Sequence, residues 1–151
     1  RLQNNMPEPP PSKKITFLVD SKLKNVSLAG VAIRGICSYL SLSDVDAYYL
    51  ELCVVEAVNN AIKHAYDNEE GHVVEVDITY SSEEIILDIT DRGRPMSLYQ
   101  PVLPEYDPGD LKALPEHGLG LYIINTVMDR VTYTSEGDRN TLRMMKKLYR
   151  S

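Results

Sequence analysis

VDAYYLELCVVEAVNNAIKHAYD, residues 45–67, has the apolar spacing of one long helix, with Ser43 or Asp44 as its N-cap. At 100° per residue, the stripe through Glu56 also carries Val45, Tyr49 and Leu52 before it and Asn60, Lys63 and Asp67 after it. One face is therefore apolar first and polar afterwards. Such a helix either packs on a core along its first half and lines a polar site along its second, or simply emerges into water. The choice depends on whether the rest of the chain supplies the other walls of a site.

Upstream, residues 1–13, RLQNNMPEPPPSK, hold four of the nine prolines and almost no large apolar side chains, so they are expected to form a disordered leader. Ile15 to Val19 reads as a short first strand ending at Asp20. Leu23 to Leu40 places Leu23, Val26, Ala29 or Gly30, Ile33, Cys37 and Leu40 at helical spacing, which predicts a first helix. Downstream, the long helix stops before the turn signal Asn68 to Gly71. Two strands follow, His72 to Tyr80 and Glu84 to Thr90, joined at Ser81 and Ser82. In the second, Ile85, Leu87, Ile89 and Asp91 share one face by alternation, so a carboxylate ends an otherwise apolar face. That carboxylate opens DRGRP, and an Asp just before a glycine is also a common turn former.

From Arg94 to Pro115 the periodicity disappears. A connection of this length inside a domain is usually a functional lid or a linker. Structure resumes at HGLGLYIINTVMD, where a Gly-x-Gly opens a helix whose backbone N–H groups form a natural phosphate cradle. Glycines also help helices pack, so this signal is weak by itself. Two last strands, Val131 to Ser135 and Thr141 to Leu148, flank a turn expected over Glu136 to Asn140. The predicted order is β-α-α-β-β-lid-α-β-β.

The net charge of −6 argues against a nonspecific nucleic-acid surface, which needs a basic stripe to release phosphate counterions. No apolar run approaches the ~20 residues that span a bilayer. Cys37 and Cys53 lie in apolar helical segments and not at metal-ligand spacing, which reads as reduced core thiols and suits a cytoplasmic protein without a membrane partner.

Together, EAVNNAIKHAY, DRGRPM, HGLGLYII and NTLRMMKKL resemble the motifs of the Bergerat-fold (GHKL, histidine-kinase-like) ATPases. Among these the chain is most similar to the anti-sigma-factor serine/threonine protein kinases of bacterial partner switching. The resemblance runs from about Ile15 to Leu148. It implies an α+β two-layer sandwich, a mixed, mostly antiparallel sheet covered by about three helices, with residues 14–151 as one domain.

It further implies ATP and Mg²⁺ as cofactors. Asn60 matches the metal-holding asparagine, a neutral oxygen ligand suited to Mg²⁺, and also counts among the nucleotide-binding residues. Glu56 matches the proposed general base and lies one turn away on the same face. Lys63 is either a point cation for phosphate or an exposed helical lysine. Asp91 matches the aspartate that accepts the adenine amino group, and Gly93 lets the backbone pass close to the base. Gly118, Leu119 and Gly120 match the phosphate-side glycine segment, and His117 precedes them where the family often has a basic residue. Thr141 matches a family threonine near the nucleotide, or is an ordinary strand threonine. His64 reads as structural. Two departures stand out: Pro95 replaces a glycine found in many relatives but is familiar in the anti-sigma type, and Glu116 adds negative charge near the phosphates.

The function implied is an Mg-ATP-dependent kinase and anti-sigma factor. It would phosphorylate a STAS-domain anti-anti-sigma partner, sequester a sigma factor and form a homodimer. Two alternatives remain open: a nucleotide-binding partner-switch regulator without turnover, and a detached sensor histidine kinase catalytic domain. The latter needs a phosphoacceptor helix pair.

Overall fold

The computed structural model of the protein describes residues 6–96 and 119–148. The expectations for His117, for Gly118 and for most of the Arg94 to Pro115 segment lie outside these residues, and of Leu119 only the backbone is described. Five strands and three α-helices make two layers: β1 (Lys13–Asp20), α1 (Val26–Tyr39), α2 (Asp44–Asn60), β2 (Val73–Tyr80), β3 (Glu84–Asp91), α3 (Leu119–Val127), β4 (Arg130–Glu136) and β5 (Arg139–Lys147). The sheet order is β1-β2-β3-β5-β4. All four pairings are antiparallel, so the parallel component of a mixed sheet does not occur among the described residues.

Alternation along the strands builds the core. Val74, Val76 and Ile78 of β2, Ile85, Leu87 and Ile89 of β3, and Leu142 and Met144 of β5 are all buried. From α1 come Ile33 and Cys37, and from α2 Leu50, Cys53, Val54 and Val58. Burying an aliphatic side chain fully is worth about 1.5–3 kcal/mol, so this layer outweighs any single polar contact at the surface. At Gly30 α1 crosses α2 closely, since an added Cβ would lie 2.9 Å from Val55 Cγ2. A salt bridge of 2.9 Å from Arg34 to Glu51 spans the same crossing.

Helix α2 starts as expected, with Ser43 Oγ accepting from Asp46 N at 3.1 Å and Asp44 and Asp46 in the positive first turn. Its stripe differs from the expectation. Val45 is 62% exposed and Tyr49 40%, and the core is instead entered by Ala47, Leu50, Cys53, Val54, Ala57 and Val58. The buried stripe is displaced to one side of the stripe through Glu56, because α2 is covered by α1 as well as by the sheet.

The helix also ends otherwise than the periodicity predicts. After Asn60 the chain widens into a π-helical turn, Ala61–Ala65, with Tyr66 N donating to Ala61 O at 3.0 Å. At the other end of the chain the β4–β5 turn is tighter than expected. Glu136 already pairs with Arg139, which leaves Gly137, at φ 60°, and Asp138 as the turn. Arg139 and Asn140 therefore belong to β5. Among the described residues no helix is long and apolar enough to cross a membrane.

Candidate functional site

Where α2 gives way to the π turn, a narrow slot of about 30 Å³ opens between the helices and the ends of β3, β4 and β5. Ala57, Asn60, Ala61 and His64 line it from the helix side, and Ile89, Asp91 and Leu142 from the sheet. Leu121 of α3, Tyr133 of β4, Arg94 and Met96 complete the wall. The lining is mostly apolar, with one carboxylate from the sheet and polar groups from the helix end. This is the arrangement expected of a small-molecule site.

Asp91 is only 8% exposed. Its Oδ1 accepts from Gly93 N at 3.0 Å and from Asn140 Nδ2 at 2.8 Å. Burial pushes its pKa above the ordinary 3.8, and the two donors, Asn140 first and Gly93 second, pull it back. Neither of these donors reaches Oδ2. Among the described residues no buried side-chain polar atom lacks a partner, so Oδ2 stands open as an acceptor.

The turn after Asp91 is bound to the π turn. Arg94 N donates to Ala65 O at 2.9 Å, and Tyr66 OH donates to Val73 O at 2.6 Å while accepting from Arg92 N at 2.8 Å. Gly93 passes so near that an added Cβ would collide with the Ala65 carbonyl and lie 2.9 Å from Ala65 Cβ. Only glycine allows this approach.

The second glycine contact brings α3 to Glu56. A Cβ on Gly120 would overlap Glu56 Oε2 and lie 3.2 Å from its Cδ. The half-buried Glu56 carboxylate thus lies against the start of α3, one turn before Asn60. Among the described residues no group of three or more His, Cys, Asp or Glu side chains could hold a metal ion by itself. A metal at Asn60 would take its other ligands elsewhere.

Of the expected site residues, the structure brings Asn60, Asp91, Gly93, Gly120 and Glu56 to one end of the domain. Lys63 is exposed and is absent from the slot's lining. His64, expected to be structural, lines it. Thr141, expected either near the nucleotide or as an ordinary strand threonine, does not line the slot. It pairs with Thr90, hydroxyl to hydroxyl at 3.1 Å, on the sheet face turned away from the helices. The residue of β5 that meets Asp91 is Asn140, 2% exposed. Its register partner Asp91 is the signal that identifies it, and that signal is hidden when Asn140 is counted as turn. Tyr133 and Met96, which also line the slot, carry no signal in the sequence.

Residues 19–146 match the histidine kinase-like ATPase domain family. The anti-sigma F factor of Clostridium kluyveri is 31% identical over 141 residues, 93% of this chain and 96% of that protein. The serine-protein kinase RsbW of Listeria monocytogenes is 33% identical over 129 residues, 82% of each. Among solved structures, the RsbU and RsbW domains of a Mycobacterium tuberculosis protein superpose with a TM-score of 0.66 at 13% identity, covering 92% of this chain and 33% of that longer one. The SiaB–SiaC complex from Pseudomonas aeruginosa gives 0.56 at 14% identity, with 89% of each chain covered. At such identities the two structures speak for the fold alone.

Proposed function

We propose, because this chain belongs to the histidine kinase-like ATPase domain family, that it is an ATP-dependent serine/threonine protein kinase and anti-sigma factor. Its substrate on this reading is a serine of a STAS-domain anti-anti-sigma protein, and its second partner a sigma factor held by a homodimer. Relatives named anti-sigma F factor and serine-protein kinase, at 31% and 33% identity, support the class. The observation that carries the chemistry is the convergence of three groups: the open oxygen of Asp91 in the slot, Asn60 at its helix side, and Glu56 one turn earlier against Gly120.

Bound Mg-ATP supplies the phosphoryl group and the divalent charge that neutralises it. The chain's own residues recognise, orient and take up a proton. Asp91 Oδ2 accepts from the adenine amino group, a bond to a charged acceptor worth roughly 1.5–3 kcal/mol. The Asn60 amide oxygen serves as a neutral metal ligand, suited to an ion that keeps waters and takes phosphate oxygens. Glu56 accepts the proton of the attacking serine hydroxyl. Positioning and electrostatics carry most of phosphoryl transfer, and that is the work these side chains would do.

The test is incubation of the purified chain with labelled ATP, Mg²⁺ and STAS proteins of the same genome. Label is expected on a STAS serine. The Glu56→Gln variant is expected to bind ATP as the parent does and to lose transfer by at least about 100-fold, the scale of general base catalysis. ATP binding without label on any STAS protein would favour the regulator without turnover. Label on a histidine of this chain would favour the histidine-kinase reading.

A further inference from the structure

The amide of Asn140 has every hydrogen-bonding group in use. Ser135 Oγ donates to its Oδ1 at 2.6 Å, while its Nδ2 donates to Asp91 Oδ1 at 2.8 Å and to Gly93 O at 2.9 Å. The orientation follows from the partners, since a flipped amide would set its oxygen against a carboxylate and a carbonyl, both acceptors. Ser135 is the register partner of Asn140 on β4, so the hydroxyl that fixes the amide comes from the neighbouring strand. With the Gly93 N–H added, Asp91 Oδ1 holds two donors, and Oδ2 has none among the described residues.

We infer that Asn140, oriented by Ser135, is the positioning residue that saturates one oxygen of Asp91 and leaves the other as a lone acceptor, so setting the site's preference for 6-amino over 6-oxo purines. A 6-oxo purine presents an oxygen where the 6-amino purine presents a donor. The charged Asp91 carboxylate cannot donate to that oxygen, so a 6-oxo purine gains a bond only if the carboxyl takes a proton or turns to accept from the purine N1–H. Two donors fixed on Oδ1 oppose the turn, and they favour the charged form over the protonated one. Discrimination built this way is strong, because the wrong base leaves a buried acceptor unpaired.

The inference rests on the reading of Asp91 as the adenine acceptor, and the test separates the two. Titration calorimetry of the full chain with ATP and with inosine triphosphate, both with Mg²⁺, gives an affinity ratio. Asn140→Leu is expected to cut that ratio about tenfold or more. Ser135→Ala is expected to cut it by a smaller factor, and Ser135→Thr, which keeps the hydroxyl, to retain it.

A second readout is the pH at which ATP affinity falls on acidification. This midpoint is expected to rise by about one pH unit in Asn140→Leu, because a donor to the charged form is lost. The other titratable or charged groups near Asp91 are Tyr66 and His64 at the helix end, Arg92 and Arg94 beyond β3, and Tyr133 on β4. The α3 side contributes Leu121, which does not titrate. These groups are common to parent and variant and cancel in the difference.

Variants that melt like the parent yet keep both ratio and midpoint overturn the inference. Should Asn140→Leu not fold, the exposed Ser135→Ala decides alone, and an unchanged ratio overturns the proposal. Should Asp91→Asn bind ATP as tightly as the parent, the adenine reading itself falls and takes this inference with it.

Discussion

Asp91 answers to two opposed demands. Its place at the end of an apolar strand face buries it, while the ligand reading requires it to be charged. Burial raises its pKa from 3.8, so the folded state binds that proton more tightly than the unfolded state does. The stability linked to this group is complete below the unfolded pKa and is lost as pH rises through the folded one. Asp91→Asn keeps an oxygen to accept from Gly93 and Asn140 and removes the charge. At pH 7, without nucleotide, the variant is expected to melt above the parent, and its ATP affinity to fall by roughly tenfold or more. Scanning calorimetry and ligand titration check both, and a variant that melts lower would contradict the account of the buried charge.

The π turn is the element on which the site's geometry depends. Widening the helix after Asn60 puts His64 on the slot and leaves the Ala65 carbonyl to receive Arg94 N. Deleting the exposed Lys63 should let the segment rewind as an α-helix and rotate the downstream residues by one position. The deletion variant is expected to stay folded by circular dichroism and to lose ATP binding. Unaltered affinity would mean that the site does not need the turn.

The sequence discloses α2 by its spacing and cap, but not its widening, because Ala, Ile, Lys and His suit an α-helix equally well. It discloses Asp91 through alternation along β3, and it starts β5 at Thr141, two residues after the observed Arg139. Counting Asn140 as turn hides its pairing with Asp91, while the expectation for Thr141 comes from the family resemblance of NTLRM and not from the strand pattern. Exposure of Val45 and Tyr49 is likewise unreadable, since periodicity identifies a stripe but not which neighbour covers it.

Across the whole molecule, the site draws on α2, the exit of β3, the start of α3 and the β4–β5 pair, so no contiguous segment contains it. The two thiols report on whether these parts unfold together. Cys37 and Cys53 are fully buried and free, and burial lifts their pKa values to about 11 and about 12. Only opening of the domain exposes them as reactive thiolates. Both are expected to react with a thiol reagent at one slow common rate, slowed further by Mg-ATP because a ligand of the native state stabilises it. Two different rates, resolved by mass spectrometry, would mean that α1 opens without α2.

The packing of Gly120 against Glu56 has an evolutionary corollary. On the proposed reading, nucleotide recognition would rest on Asp91 and its strand neighbours, and proton acceptance on a carboxylate seated against a bare Cα. One methyl group at position 120 would displace that carboxylate without touching the purine slot. If that reading holds, a lineage with this scaffold would have a single-step path from enzyme to ligand-gated switch, with affinity and turnover free to part company.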